Sequence, residues 1–196
     1  MMSELSELRL FLAIAVPEDI RTELRRLQLE LEPLLPPRAV RWTKPEQFHL
    51  TLKFLGNVPA TDIDALSRAV RAVCGVAPPM RLRAEGAGFF PESGAPRVFW
   101  IDIKSVDGLL MGFQRQLELS VASFAMKQDA KKFTAHVTLA RFGKMRNRET
   151  EEPRAALAVG RTYGEWVAKE VQLIKSSLQP SGPLHAIVDT FKTKNN

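Results

Sequence analysis

The run from Arg9 to Val16 is apolar at almost every position and predicts a buried first strand. Pro17, Glu18 and Asp19 then suit a helix start, with the ring at an early position and acids in the first turn. Ile20, Leu24, Leu27, Leu31 and Leu34 recur at helical spacing until Pro36 and Pro37 end the pattern. Val40 to Trp42 predicts a short strand, and His49 to Leu55 a second apolar-rich one that stops at Gly56 and Asn57. Thr61 to Val73 predicts a helix with Ile63, Leu66, Val70 and Val73 on one face.

Met80 to Phe90 and Arg97 to Ile103 are strand-like around the turn residues Pro91 to Pro96. Leu109 to Phe124 carries Leu110, Phe113, Leu117, Val121 and Phe124 at helical spacing. The strand His136 to Arg141 follows, then a charged, weakly periodic stretch, Asn147 to Val159, expected as a loop with a helical turn. Glu165 to Ser176 and Leu184 to Phe191 are expected as two closing strands. Several strands are joined by short turns rather than helices, which predicts an α+β fold with largely antiparallel sheets rather than a doubly wound parallel one. At 196 residues, one domain spanning 1–196 is the expectation.

Composition narrows the chemistry. With 45% hydrophobic and 26% charged residues, the chain has the make-up of a folded globular protein. A net charge of +6 favours a polyanionic partner, and Lys127, Lys131, Lys132, Arg141, Lys144, Arg146 and Arg148 crowd one region against a single acid, Asp129. The only cysteine, Cys74, sits in a helical pattern, which excludes a disulfide framework and a cysteine-based zinc site. The apolar run Leu8 to Val16 follows acids instead of a basic region and is too short to span a bilayer, so a cytoplasmic location is expected.

Two of the three histidines stand in near-identical stretches, FHLTLKFLG (Phe48 to Gly56) and AHVTLARFG (Ala135 to Gly143). In a strand, His49 and Thr51 share one face while Leu50 and Leu52 take the other; His136 and Thr138 do the same against Val137 and Leu139. If the two strands adjoin, two imidazoles and two hydroxyls converge. One neutral imidazole can take a proton from water, one imidazolium can give a proton to a leaving oxygen, and hydroxyls or an arginine can hold phosphate oxygens. An ordinary histidine pKa near 6.5 lets both forms coexist near neutrality. Threonine is a poor metal ligand and neither motif contains an acid, so no metal and no cofactor are expected.

These motifs, with RW before the first and HVTLAR closing the second, resemble the two-histidine phosphoesterase superfamily, most closely its RNA 2′,3′-cyclic phosphodiesterases, also called 2′-5′ RNA ligases. The likeness extends to RLFLAIAVPEDI, PRVFWIDI and LIKSSLQPSGPLHAIV, and so to nearly the whole chain. It implies a bilobal fold with two largely antiparallel sheets, outer helices and pseudo-twofold symmetry around a central cleft. It implies metal-independent opening of 2′,3′-cyclic phosphates to 2′-phosphates by a monomer acting on RNA ends or nucleotides, without a membrane. On that resemblance His49 protonates the departing 3′ oxygen, His136 activates water, and Thr51, Thr138 and Arg141 bind phosphate; the two histidine roles are exchangeable. A 2′-5′ ligase or phosphodiesterase in the same cleft, and an RNA-end binding module without turnover, are the alternatives. The chain departs from the family at Ala135, where relatives commonly carry proline, and at His185, where they often carry tyrosine.

Strict alternation points Arg141 away from the cleft, and only a bulge or strand end would return it. Phe48 and Phe54 share the parity of the aliphatics and are expected in the core, whereas Trp42 is open to either role. His185 is expected to fill space rather than stack on a base, and Lys131 and Lys132 are expected as solvated charges.

Overall fold

The structure, a computed structural model, describes residues 6–125, 132–143, 160–179 and 182–194. The stretch Asn147 to Val159 and the basic residues Lys127, Lys131, Lys144, Arg146 and Arg148 lie outside the described residues.

Strand β1 (Glu7–Ala15) buries five successive side chains, Leu10 to Ile14. Both faces are covered, which explains its unbroken apolar run. Leu10, Leu12 and Ile14 enter the main core, while Phe11 and Ala13 form a smaller cluster with Ile174 on the opposite face. Helix α1 (Glu18–Leu31) follows Pro17, and the predicted pattern breaks at Leu31 into a 3₁₀ turn, Glu32–Leu34, because Pro33 brings no N–H. Strands β2 (Val40–Trp42) and β3 (His49–Pro59) precede helix α2 (Ile63–Val76), whose Leu66, Val70 and Cys74 are fully buried. The hairpin β4 (Met80–Phe90) and β5 (Val98–Ser105) leads to α3 (Leu110–Ser120), which tightens into a 3₁₀ turn at Ala122–Phe124. Then come β6 (His136–Phe142), β7 (Thr162–Ala168), β8 (Glu170–Gln179) and β9 (Gly182–Lys192).

The described strands run in the order β7-β4-β5-β6-β3-β1-β8-β9, with β2 added to β6, and every pairing is antiparallel. The two halves of this sheet meet at a narrow seam where Leu50 of β3 lies opposite Val137 of β6. Outward from that seam one half reads β3-β1-β8-β9 and the other β6-β5-β4-β7, so the two His-x-Thr strands are the innermost pair. This is the bilobal, pseudo-symmetric α+β arrangement the resemblance implied, except that the two expected sheets are joined at the seam into one sheet of nine described strands.

One expected strand divides. Glu165 to Ser176 is not continuous: β7 pairs with β4 in one half, β8 pairs with β1 in the other, and Lys169 lies between them. The chain changes halves there, which no local hydrophobic pattern records. Among the described residues no helix is long and apolar enough to cross a membrane.

Candidate active site

The seam brings both motifs to one cleft of about 680 Å³, lined by His49, Thr51, His136, Thr138 and Arg141 among others. All five predicted site residues are therefore together. Alternation holds across the first half of each motif: Leu50 and Val137 are fully buried on the core side while the His and Thr side chains face the cleft. Among the described residues neither threonine hydroxyl is engaged in a hydrogen bond, so both remain available to a ligand.

Alternation then breaks, at the same place in both strands. Along β1–β3 the register steps from Leu12 opposite Lys53 to Ala13 opposite Thr51, skipping Leu52. Along β5–β6 it steps from Phe99 opposite Ala140 to Trp100 opposite Thr138, skipping Leu139. Each skipped leucine marks a bulge, so two consecutive residues turn inward: Leu52 and Lys53 in one strand, Leu139 and Ala140 in the other. The residue after each pair is thereby returned to the cleft face, which puts Arg141 in the site and, contrary to the expectation of core packing, Phe54 as well. Phe54 is 38% exposed, whereas Phe48 is buried as predicted. Lys53, turned inward, meets the carboxylate of Glu118 on α3 at 2.6 Å, which draws the Glu118 pKa below the carboxylate range.

Each bulge is held by a buried glutamine from a helix. Gln28 of α1 donates through Nε2 to the carbonyls of Leu139 and Thr43, both at 2.9 Å, and Gln114 of α3 donates to the carbonyl of Leu52 at 3.2 Å. The two glutamines thus grip the equivalent leucine of the two motifs. Both sit on the apolar stripe of their helices, four residues after Leu24 and Leu110 respectively. A polar residue on a core face is the sequence signal for both, and motif reasoning does not use it.

The imidazoles are oriented in matching ways. Nδ1 of His49 lies 2.7 Å from the Gln47 carbonyl, and Nδ1 of His136 lies 2.7 Å from the Thr134 carbonyl. A carbonyl only accepts, so each Nδ1 carries the hydrogen and the other nitrogen, Nε2, is left free for chemistry. Aromatic rings flank both. Phe11 lies 4.9 Å from His49, while Phe90 and Trp100 lie 5.2 and 6.1 Å from His136. Gly88 makes room for that second wall, because a Cβ there would overlap the Trp100 ring.

Burial, together with the positive neighbours His185, His136 and Arg141, depresses the His49 pKa to about 4, against the pull of the Gln47 carbonyl. His136 is lowered too, by burial and Arg141, with the Thr134 carbonyl and Asp102 acting the other way. Coexistence of both protonation states in the free protein, expected from ordinary pKa values, gives way to two neutral imidazoles near pH 7. An anion in the cleft raises both.

His185 is the third histidine of the same cleft. Its ring lies 5.5 Å from His49 and 5.1 Å from Phe11, edge-on to each. Gln47 donates to the Pro183 carbonyl at 2.8 Å and so ties the β8–β9 hairpin, which carries His185, to the turn before His49. Trp42 also lines the cleft, as do Arg9, Arg41 and Lys44, which motif reasoning did not single out. Arg9 stacks on the Phe54 ring at 5.0 Å. Among the described residues no three His, Cys, Asp or Glu side chains are grouped so as to hold a metal ion.

The comparison with known proteins follows the same division into halves. The family model for LigT-like phosphoesterases matches residues 14–100 and again 101–185, one match around each motif. An RNA 2′,3′-cyclic phosphodiesterase of Thermus thermophilus is 30% identical over 95% of this chain and 91% of its own length. One from Archaeoglobus fulgidus is 30% identical over 94% of this chain and all of its own. The solved structure of the Thermus thermophilus protein TT0787 superposes with a TM-score of 0.81 at 27% identity, covering 95% of this chain and 98% of the other. With a family model that matches each half of the chain in turn and a relative 30% identical over nearly its whole length, the chain belongs to the LigT-like phosphoesterase family.

Proposed function

We propose that this protein hydrolyses the 2′,3′-cyclic phosphate of RNA ends or nucleotides to a 2′-phosphate. The observation that carries this reading is the convergence of two Nδ1-anchored imidazoles with Thr51, Thr138 and Arg141 on one cleft, which supplies two proton-transfer groups and a cradle for one phosphate. The names of the relatives in Thermus and Archaeoglobus support the same substrate class.

On this reading Arg141 and the two threonine hydroxyls hold the non-bridging oxygens. His136, nearer the solvent, takes a proton from water through Nε2 as the water oxygen bonds to phosphorus. His49, the deeper imidazole, gives its proton to the 3′ oxygen as the phosphorus–O3′ bond breaks. The negative phosphate is what permits His49 to be protonated, and its low intrinsic pKa makes the imidazolium a strong donor once formed. Proton transfer between imidazoles and oxygen needs no cofactor, and the paired threonines and arginine supply the charge stabilisation. Residues 1–196 work as a single unit because each half contributes one strand of the site, and as a monomer because one chain builds the whole cleft. A cytoplasmic location accords with a single, buried cysteine.

The test is turnover of a 2′,3′-cyclic nucleotide by variants carrying His49→Ala or His136→Ala. Loss of activity in both with an intact fold supports the reading; full activity in either contradicts it.

A further inference from the structure

Twenty residues line the cleft, and among them Arg9, Arg41, Lys44 and Arg141 are cationic while none is Asp or Glu. Two of these cations are direct neighbours: Arg41 of β2 lies opposite Arg141 of β6 in the antiparallel register. Like charges placed opposite each other destabilise a sheet, and burial followed by the charge of Arg41 weakens the hold of Arg141 on its proton. Among the described residues neither arginine has a carboxylate partner to offset this. The two arginines are thus a cross-strand pair whose Cβ atoms stand roughly 5 Å apart, with no acidic residue among those that line the cleft.

One cyclic phosphate carries a single negative charge. Arg141, on the same strand face as His136 and Thr138, is placed to take it. Arg41, directly opposite Arg141 on the neighbouring strand, and Lys44, two residues beyond the end of β2, line the same cleft and are left for a second anion. A nucleotide closed at its 2′ and 3′ oxygens can continue only in the 5′ direction, so a second phosphate of the substrate must lie on that side.

Resting on the proposed reading of the site, we infer that Arg41, assisted by Lys44, forms a second phosphate subsite that binds the internucleotide phosphodiester 5′ to the terminal cyclic phosphate. The cleft is accordingly built for the end of an RNA chain in preference to a free cyclic nucleotide.

The test compares three substrates: uridine 2′,3′-cyclic phosphate, the dinucleotide UpU ending in the same cyclic phosphate, and that dinucleotide with a neutral methylphosphonate linkage. The wild-type protein should favour the charged dinucleotide in kcat/KM by about tenfold, and the neutral linkage should abolish the preference. Arg41→Gln should bring the ratio of dinucleotide to mononucleotide to within about twofold of one, with a shallower salt dependence for the dinucleotide. A wild-type ratio near one, or a ratio unchanged by Arg41→Gln, overturns the subsite. If no cyclic substrate is opened at all, the hydrolase reading has failed separately. Calorimetric titration with uridine 2′-phosphate and UpU 2′-phosphate then decides the subsite alone: tighter dinucleotide binding that depends on Arg41 sustains it, and equal binding removes it.

Discussion

The side-chain amide of Gln28 donates to the carbonyl of Leu139 at 2.9 Å, fastening helix α1 to the bulge that turns Arg141 into the cleft. Gln114 does the same for Leu52, 3.2 Å away, in the other half. The geometry of the proposed site in each lobe therefore depends on one buried amide outside the motif. Replacing Gln28 by Met preserves volume but removes its hydrogen bonds to Leu139 and Thr43, at a cost of about 1–3 kcal/mol for buried groups that lose a partner. Urea denaturation should show that loss. Because the bulge also aims Arg141, KM should rise more than kcat falls, and adding Arg141→Ala should worsen KM little further.

The depressed histidines make the rate depend on pH in a defined sense. The proposed mechanism requires one neutral and one protonated imidazole in the free protein, and with His49 near 4 and His136 below its ordinary value, it places the optimum of kcat/KM on the acid side of 6.5. Bound phosphate raises both groups, so the optimum of kcat lies at higher pH than that of kcat/KM. A kcat/KM profile that is flat from pH 5 to 8 would count against paired histidines.

Stability should change with pH in the same region. His49 titrates near 6.5 when unfolded and near 4 when folded, so the unfolded chain binds the extra proton in between. Stability is then complete above about 6.5 and falls as pH drops toward 4, by up to about 3 kcal/mol for this one group. His136 and His185, also lowered by burial, act in the same direction. Equilibrium unfolding measured between pH 4 and 7 should flatten when His49 is replaced by Gln.

Gly88 offers a structural test of the wall beside His136. A methyl group there would overlap the Trp100 ring, so Gly88→Ala must shift the indole against the imidazole. Turnover should fall by about tenfold, since small displacements of a proton-transfer group are expensive in rate. Unchanged kcat would show that the wall has no part in holding the ring.

Much of this site was legible in the chain because strand alternation is a local rule. His49, Thr51, His136 and Thr138 face the cleft, and Leu50 and Val137 the core, as period-two reading requires. The resemblance supplied Arg141, whose position alternation alone denied. The failures have one physical source in common, namely constraints set by distant parts of the chain. Phe54 was misplaced because the bulge at Leu52 is held by Gln114 on a later helix. The strand expected from Glu165 to Ser176 splits because its two ends pair with β4 and β1 in different halves. His185 joins the site because a hairpin is tied to Gln47, far back in the chain. The symmetry itself breaks where Phe54, capped by Arg9, stands in the place of Arg141, so the fixed charge on the two sides of the cleft comes from different strands.

The most direct test is one incubation of the protein, in excess chelator, with a labelled RNA ending in a 2′,3′-cyclic phosphate, the products being resolved as 2′ or 3′ phosphates. Paired-histidine hydrolysis predicts a 2′-phosphate formed at the same rate with and without chelator, and none from His49→Ala or His136→Ala protein. An unopened cyclic phosphate, a 3′-phosphate product, or full turnover by either variant would contradict it.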